Sequence, residues 1–309
     1  MAYFIMLVGI PGSGKSTLAH SLAATYKANI HASDAIRREL YGNESMQNDH
    51  ALVFDTLHKR VKEDLAQGQS TIYDATNISY KRRMAFLQEV KQYNPYTICY
   101  VVIKSFEGCI SANNSRERIV PFQSIKNMIK SFWVPQYYEG WDDIQLMYTE
   151  DAPPLSLDEV LHSIQDFDQQ SRWYSLSLGQ HLTKTQSLIY RDNNIDLHTS
   201  QQDQYLHIAA LYHDIGKPFV KSFINKKGEP TNDAHYYGHA NVSAYQYLTM
   251  SRNNGLSQSA ILDICNYIQW HMQPYFLHHQ SSENKFIRLV GMETYKRLLL
   301  LNTADKNAH

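Results

Sequence analysis

Short apolar runs alternate with amphipathic stretches along the first half of this chain. Tyr3–Val8 is continuously apolar, which predicts a strand buried on both faces. Lys15–Tyr26 predicts a helix, and a short strand near 29–31 leads into Ser33-Asp34. A long amphipathic helix is expected over 49–67, ending at Gly68. A strand over 70–73 closes at Asp74, a helix follows over 79–93, and Tyr96–Ile103 alternates as a β-branched strand. Residues 107–130 read as polar and helical, and 144–149 could add a last strand. Such alternation predicts an α/β domain whose parallel sheet lies between helices.

The pattern changes after Asp151-Ala152-Pro153-Pro154, where consecutive prolines interrupt helix and sheet alike. Beyond it every periodic stretch is helical, at about 157–170, 172–190, 201–214, 236–252, 257–272, 284–290 and 293–305. A chain of 309 residues exceeds what one core usually serves. Two domains are expected, an α/β domain over 1–151 and an all-α domain over 156–309.

Composition narrows the setting. No apolar run approaches the ~18 residues that span a bilayer, so no membrane role is expected. Cys99, Cys109 and Cys265 are widely spaced, which fits reduced thiols and a cytoplasmic location. Residues 1–150 carry 16 Lys+Arg against 15 Asp+Glu, and 151–309 carry 13 against 15. Neither half has the positive field of non-specific nucleic-acid binding, so a nucleic-acid substrate would be gripped locally, at an end or a loop. Eleven of the 15 histidines lie in the second half, which points metal or phosphate chemistry there.

Residues 9–16, GIPGSGKS, match GxxxxGK[ST] through Gly9, Gly14, Lys15 and Ser16, with strand before and helix after. The backbone across Gly9, Pro11, Gly12, Ser13, Gly14, Lys15, Ser16 and Thr17 would cradle the phosphates of ATP or another NTP, through the N–H groups of all but Pro11 and helped by the positive helix end. Lys15 would neutralise β/γ oxygens and Ser16 would hold Mg²⁺. Asp34 follows the second strand on the same rim, where a carboxylate can take a hydroxyl proton or simply cap a helix over 35–40. Arg37 lies one turn on. Asp74 and Asn77, in YDATN, are candidate acceptor contacts, with Asp74 also suited to ordering Mg²⁺ or capping. Arg116 and Arg118 fall where a lid would close and stabilise charge in the transition state, unless they form a solvated helix face.

GIPGSGKST, HASDAIRREL, YDATNISYKRR and NNSRERIVP, in that order, cover roughly residues 3–150. This series resembles the 5′-kinase domain of phage and bacterial polynucleotide kinases. The resemblance implies that Asp34 is the general base for a 5′-hydroxyl and that Arg37 holds the acceptor's 3′-phosphate. It places the aspartate of the DTN-type motif at Asp74 and the lid arginine at Arg116, with Arg118 the alternative. Asn113-Asn114 stand where the family often has Arg-Asn.

In the second half His213 shares a helical face with Leu206, Ala209 and Ala210, and Asp214 follows it before Gly216 and Pro218. His181 lies on the stripe of Leu178, Leu182 and Leu188, and Asp305 on that of Leu298 and Leu301. Ionised carboxylates on apolar stripes are costly unless a cation meets them, and one divalent ion would satisfy all four residues. AALYHDIGKP, YYGHANVSA and LLLLNTADKNAH, over roughly 160–309, resemble the HD phosphohydrolase superfamily. The resemblance implies that His181, His213, Asp214 and Asp305 hold one metal. His239 and His271 match positions holding a second metal in two-metal members, although His271 also continues the core stripe of Ile261, Ile264 and Ile268. Lys217 matches the HDxGK lysine, either a contact to substrate phosphate or a solvated loop residue; His235 is a weaker candidate. Mixed N/O donors favour Mn²⁺, Fe²⁺, Co²⁺, Ni²⁺ or Mg²⁺. Metal-activated water would attack a phosphoester, with Asp214 central to that site.

The expectation is an enzyme with two activities that heals RNA or DNA ends: NTP-dependent phosphorylation of a 5′-OH, and removal of a 3′-phosphate or 2′,3′-cyclic phosphate, ahead of a ligase acting in trans. A small-molecule or nucleoside kinase fused to an HD nucleotidase, and an NTP-gated HD hydrolase of free or signalling nucleotides, both stay open.

Overall fold

Every residue of β1 (Tyr3–Val8) after the first is buried, because the strand lies at the centre of a five-stranded sheet. The computed structural model describes residues 1–44, 49–150, 155–192 and 195–308. β1 is followed by α1 (Lys15–Tyr26), β2 (Asn29–Ala32), α2 (Ser33–Tyr41), α3 (His50–Ala66), β3 (Thr71–Asp74), α4 (Tyr80–Val90) and β4 (Tyr96–Ile103). Then come α5 (Phe106–Asn114), α6 (Phe122–Lys130) and β5 (Asp143–Tyr148). The strand order is β2-β3-β1-β4-β5, all parallel. Parallel pairing needs crossovers, and the helices supply them.

Alternate residues of β1 face opposite layers. Ile5 and Leu7 pack with Ala19 and Leu22 of α1 and with Ile72, Ile98 and Tyr100. Phe4 meets Phe86 of α4 and stacks on Trp141. α3 buries Val53, Leu57, Val61 and Leu65, one per turn, and is capped by Asp49, which accepts from Leu52 N. The helix expected across 107–130 is two helices. Residues 115–121 break it, with Pro121 just before α6, so Arg116 and Arg118 sit on a loop. Asn113 anchors that loop, its amide bonding both N and O of Val120.

The described residues form two compact units. One is Met1–Met128 with Pro135–Ala152, and the other is Ile129–Val134 with Pro153–His309. The linker expected at 151–154 lies outside the described residues. The second unit holds α7 (Leu157–Ser163), α8 (Leu178–Tyr190), α9 (Gln201–Tyr212), α10 (Lys217–Val220), β6 (Ser222–Ile224), β7 (Pro230–His235), α11 (His239–Met250), α12 (Gln258–Trp270), α13 (Gln280–Val290) and α14 (Met292–Lys306). α12 is its central helix, buried continuously from Ala260 to Trp270 apart from Asp263. Residues 129–134 join this core. Phe132 packs edge-on against Tyr245, Trp133 against Trp270, and Gln269 bonds both Phe132 O and Val134 N.

Two expectations for this half need correction. It is mostly but not wholly helical, since β6 and β7 pair as an antiparallel hairpin. The hairpin escapes notice because β6 is three residues long, and its turn is made by Gly228 at φ 86 with Asn225 and Glu229. The helices expected over 157–170 and 172–190 are also shorter. α7 stops at Ser163, and α8 starts only where Ser177 and Gln180 form a capping box. No described helix is long and apolar enough to cross a membrane.

Candidate functional site

The loop after β1 owes its shape to its glycines. Gly12 and Gly14 take φ of 84° and 96°, and a Cβ on Gly12 would stand 2.2 Å from Cys109 O. Thr149 braces the loop from the end of β5, its Oγ1 donating to Ser13 O at 2.8 Å. Lys15 Nζ donates to Ile10 O at 2.9 Å, and Ser16 Oγ donates to Asp74 Oδ2 at 3.0 Å. Burial lowers the Lys15 pKa although Asp74 opposes the shift, and burial raises that of Asp74 against the pull of Lys15. Ser16 and Asp74 thus present the hydroxyl and carboxylate that suit Mg²⁺ beside a triphosphate.

Asp34 lies in the first turn of α2, whose N-cap is Ala32, so it is not the cap. Its Oδ1 accepts from Arg37 Nη1 and from Arg118 Nη1, each at 2.8 Å. Asp34, Ser16, Asp74, Arg38, Glu44 and Arg116 border one cavity of about 390 Å³. Arg116 therefore faces the cradle while Arg118 holds the carboxylate. Arg37 is buried, and its Nε has no hydrogen-bond partner among the described residues. Asn77 spends its amide on Leu7 O and Ala75 O, shaping the loop after β3. Pro11 is buried within the cradle and Thr17 is exposed.

In the second unit six side chains converge from separate elements. His181 comes from α8, His213 and Asp214 from the end of α9, His239 from the start of α11, His271 from the end of α12 and Asp305 from α14. Their ligand atoms form two groups, His181–His213–Asp214–Asp305 and Asp214–His239–His271, each within 4.8 Å. Asp214 belongs to both. Its Oδ2 lies 3.4 Å from His181 and His213 Nε2, and its Oδ1 lies 3.1 Å from His239 Nε2 and 3.6 Å from that of His271. Asp305 Oδ1 is 3.1 Å from His181 Nε2 and 3.5 Å from that of His213.

Each imidazole turns its Nδ1 to a carbonyl: His181 to Ala308 O, His213 to Ala210 O, His239 to Tyr236 O and His271 to Ile268 O. Carbonyls only accept, so each Nδ1 carries the proton and a neutral ring points an Nε2 lone pair inward. Lone pairs meet at 3.3 Å between His181 and His213 and at 3.1 Å between His239 and His271. Such facing pairs repel unless positive charge joins them, and Asp214 Oδ1 is buried with no hydrogen-bond donor among the described residues. The residues fit a divalent cation in each group. Burial opposes charge on His213, yet Asp214 and Asp305 outweigh it and raise its pKa to about 10, so without a cation a proton takes the place at Nε2 that a metal would hold. Burial, together with a His213 protonated in that way, pushes His271 down to about 3, which leaves its lone pair available.

Lys217 is buried, not a solvated loop lysine. Its ammonium lies 2.6 Å from Asp214 Oδ2, donates to Gln169 Oε1 at 2.8 Å and sits 3.9 Å from the Tyr174 ring centroid. Burial opposes its charge, but Asp214 outweighs it and raises the pKa. Tyr275 donates to Asp305 Oδ2 at 2.8 Å. Gln169, Tyr174 and Tyr275 are supporting residues that sequence reading missed, having no motif or stripe to mark them. His235 stacks on Tyr237 and is not part of either histidine–aspartate group.

These features define the class: a parallel-sheet α/β P-loop kinase fold followed by a helical HD domain. Residues 4–135 match the family model for the AAA domain, AAA_33, and residues 178–308 match that for the HD domain. A curated relative, the L-seryl-tRNA(Sec) kinase of Methanococcus maripaludis, is 25% identical over 173 residues, or 53% of this chain. The match spans 66% of that relative's length. Among solved structures, a Chloroflexus aurantiacus protein superposes with TM-score 0.42 and 16% identity, covering 53% of this chain and 94% of that one. A fungal RNA kinase gives TM-score 0.36 and 13% identity, covering 52% of this chain and 41% of its own. Likeness at this level does not identify an acceptor.

Proposed function

We propose that the protein repairs broken nucleic-acid ends. One unit transfers the γ-phosphate of ATP or another NTP to a 5′-hydroxyl of RNA or DNA, and the other removes a 3′-phosphate or 2′,3′-cyclic phosphate. The observation that carries the kinase half is the position of Asp34, on the cavity shared by Ser16, Asp74 and Arg116 and flanked by Arg37 and Arg118. An acceptor hydroxyl entering there meets a carboxylate able to take its proton, while Lys15 and the loop amides hold the phosphates. The curated relative is named for an RNA-borne acceptor, which is in keeping with this reading.

In the other unit His181, His213 and Asp305 would hold one divalent cation, His239 and His271 another, and Asp214 both. The cations supply Lewis acidity and an activated water. Lys217, Gln169 and Tyr275 fix the two carboxylates in place. A cyclic phosphate hydrolysed here, first to a monoester and then to free phosphate and a 3′-hydroxyl, and a 5′-hydroxyl phosphorylated there, would leave ends that a ligase joins in trans. To test this, a 5′-OH, 2′,3′-cyclic-phosphate RNA is incubated with ATP and divalent metals, and both termini are identified by mass. Two unaltered termini would reject the reading.

A second reading has its own support. The cavity of about 390 Å³ and the near-neutral first half also suit a nucleoside or sugar acceptor. Phosphate transfer to small molecules but never to oligonucleotides would favour it.

A further inference from the structure

The β6–β7 hairpin lies between two parts of the histidine–aspartate centre. α10, which begins at Lys217, leads straight into β6, and β7 runs through Tyr237 and Gly238 into His239. Alongside it runs the segment that carries Gln169 and Tyr174. Ala234 N of β7 donates to Gln170 O, Arg172 N donates to Asp233 Oδ1, and Tyr236 donates its hydroxyl to Gln169 O.

Three aromatic side chains on the hairpin, just after it, and on the segment beside it stay exposed: Phe223 at 42%, Tyr237 at 40% and Trp173 at 68%. A cation accompanies each ring. The Arg172 guanidinium lies 5.0 Å from the Trp173 centroid, Lys221 Nζ lies 5.9 Å from Phe223, and Lys226 Nζ lies 5.4 Å from Tyr237. Tyr237 also stacks on His235 at 9° between planes, and Lys227 is exposed on the turn. Exposed rings of this size lose free energy in water unless something covers them. Rings interleaved with cations match a partner that alternates flat bases with phosphates. The surface is also continuous with the centre. Trp173 is followed directly by Tyr174, whose ring covers the Lys217 ammonium and packs edge-on against His181 at 6.0 Å.

We propose that Trp173, Phe223 and Tyr237, with Arg172, Lys226 and Lys227, form a stacking platform that receives the last bases of a single-stranded RNA and leads its 3′ end to the histidine–aspartate centre. This rests on the reading that the second unit acts on nucleic-acid ends. It accounts for substrate capture without a strongly basic domain, since a few stacked bases supply the grip.

The test uses the full chain and a single-stranded RNA decamer with a 3′-hydroxyl and a 5′-fluorescein, which blocks the kinase acceptor. Binding is read by anisotropy. Trp173→Ala and Phe223→Ala should each weaken binding roughly 5- to 150-fold, the range for loss of one stacked base. The Lys226→Ala/Lys227→Ala double variant should also flatten the slope of log affinity against log salt by about 1.4. Metal content and the circular dichroism spectrum are the controls for folding. Wild-type affinity in all three variants would overturn the platform, as would equal affinity for a duplex of the same length. Turnover of the cyclic-phosphate end by wild type tests the underlying reading separately. Binding without turnover would remove that reading and, with it, delivery of the 3′ end to the centre, leaving only a surface that binds single-stranded RNA.

Discussion

Arg118 donates from Nη1 to Asp34 Oδ1 at 2.8 Å, on the same oxygen that Arg37 grips from one turn away. A carboxylate held by two guanidinium groups on Oδ1 is fixed in orientation, and its other oxygen, Oδ2, is the one left to take a hydroxyl proton. Asp34→Ala should cost on the order of 10²–10⁴-fold in phosphate transfer to a 5′-OH oligonucleotide. Arg118→Ala should cost roughly 10²-fold, as for loss of one charge-stabilising donor. Radiolabel transfer from γ-labelled ATP measures both, and hydrolysis at the other centre should be unchanged. Full kinase activity in Asp34→Ala would remove it from the chemistry.

Asp214 is common to both ligand groups, whereas His271 belongs to one. The two substitutions should therefore differ in stoichiometry. Asp214→Ala removes a ligand from each group and breaks the Lys217 ion pair, so bound metal should fall toward zero. His271→Ala should lose one of two ions and keep the His181–His213–Asp305 set loaded. Elemental analysis after desalting decides this. Equal metal loss in the two variants would mean that the groups do not bind independently.

His58 provides a pH test away from both centres. Its ring stacks on Phe86 at 4.0 Å between centroids, and its Nε2 lies 3.2 Å from the Tyr73 hydroxyl oxygen. Burial lowers its pKa from the usual 6.5. The unfolded chain therefore binds a proton at His58 before the folded one does. Stability from this residue is fully present above pH 6.5 and is lost as pH falls through the lower, folded value. The urea midpoint of wild type should drop more between pH 6.5 and 5 than that of His58→Phe. Parallel curves for the two proteins would contradict the assignment.

What could be read from the sequence were features tied to backbone necessity or to spacing. Gly12 and Gly14 are legible because no other residue takes those φ values without strain, and His213-Asp214 because two polar residues interrupt an apolar face. Tyr3–Val8 and Tyr96–Ile103 match the observed strands to the residue, the first as a continuously apolar run and the second as a β-branched one. Thr149, Gln169, Tyr174 and Tyr275 were not legible. Each acts through a partner far along the chain, and a lone tyrosine or glutamine carries no period to betray it. The segment Ile129–Val134 was likewise opaque. Its Phe132 and Trp133 are simply apolar until Tyr245 and Trp270 are seen to receive them.

Arg83 and Glu139 form a fully buried bidentate pair, with Nε to Oε2 at 2.7 Å and Nη2 to Oε1 at 2.5 Å. Trp141 Nε1 donates to Glu139 Oε2, and Arg83 Nη1 donates to Asn77 O, so the pair ties the loop after Asp74 to the segment before β5. Removing two charges from water is expensive, and their mutual attraction roughly repays it; losing one partner strands the other. Arg83→Met should therefore destabilise the first unit by about 3–5 kcal/mol. The double variant Arg83→Met/Glu139→Leu should recover most of that, because no buried charge is left uncompensated. Asn77 O loses its donor in both proteins, so phosphate transfer should stay impaired in the double variant even where stability returns. Urea denaturation followed by kinase assay separates the two effects. A double variant as unstable as the single one would show that the pair stabilises the fold by more than mutual neutralisation.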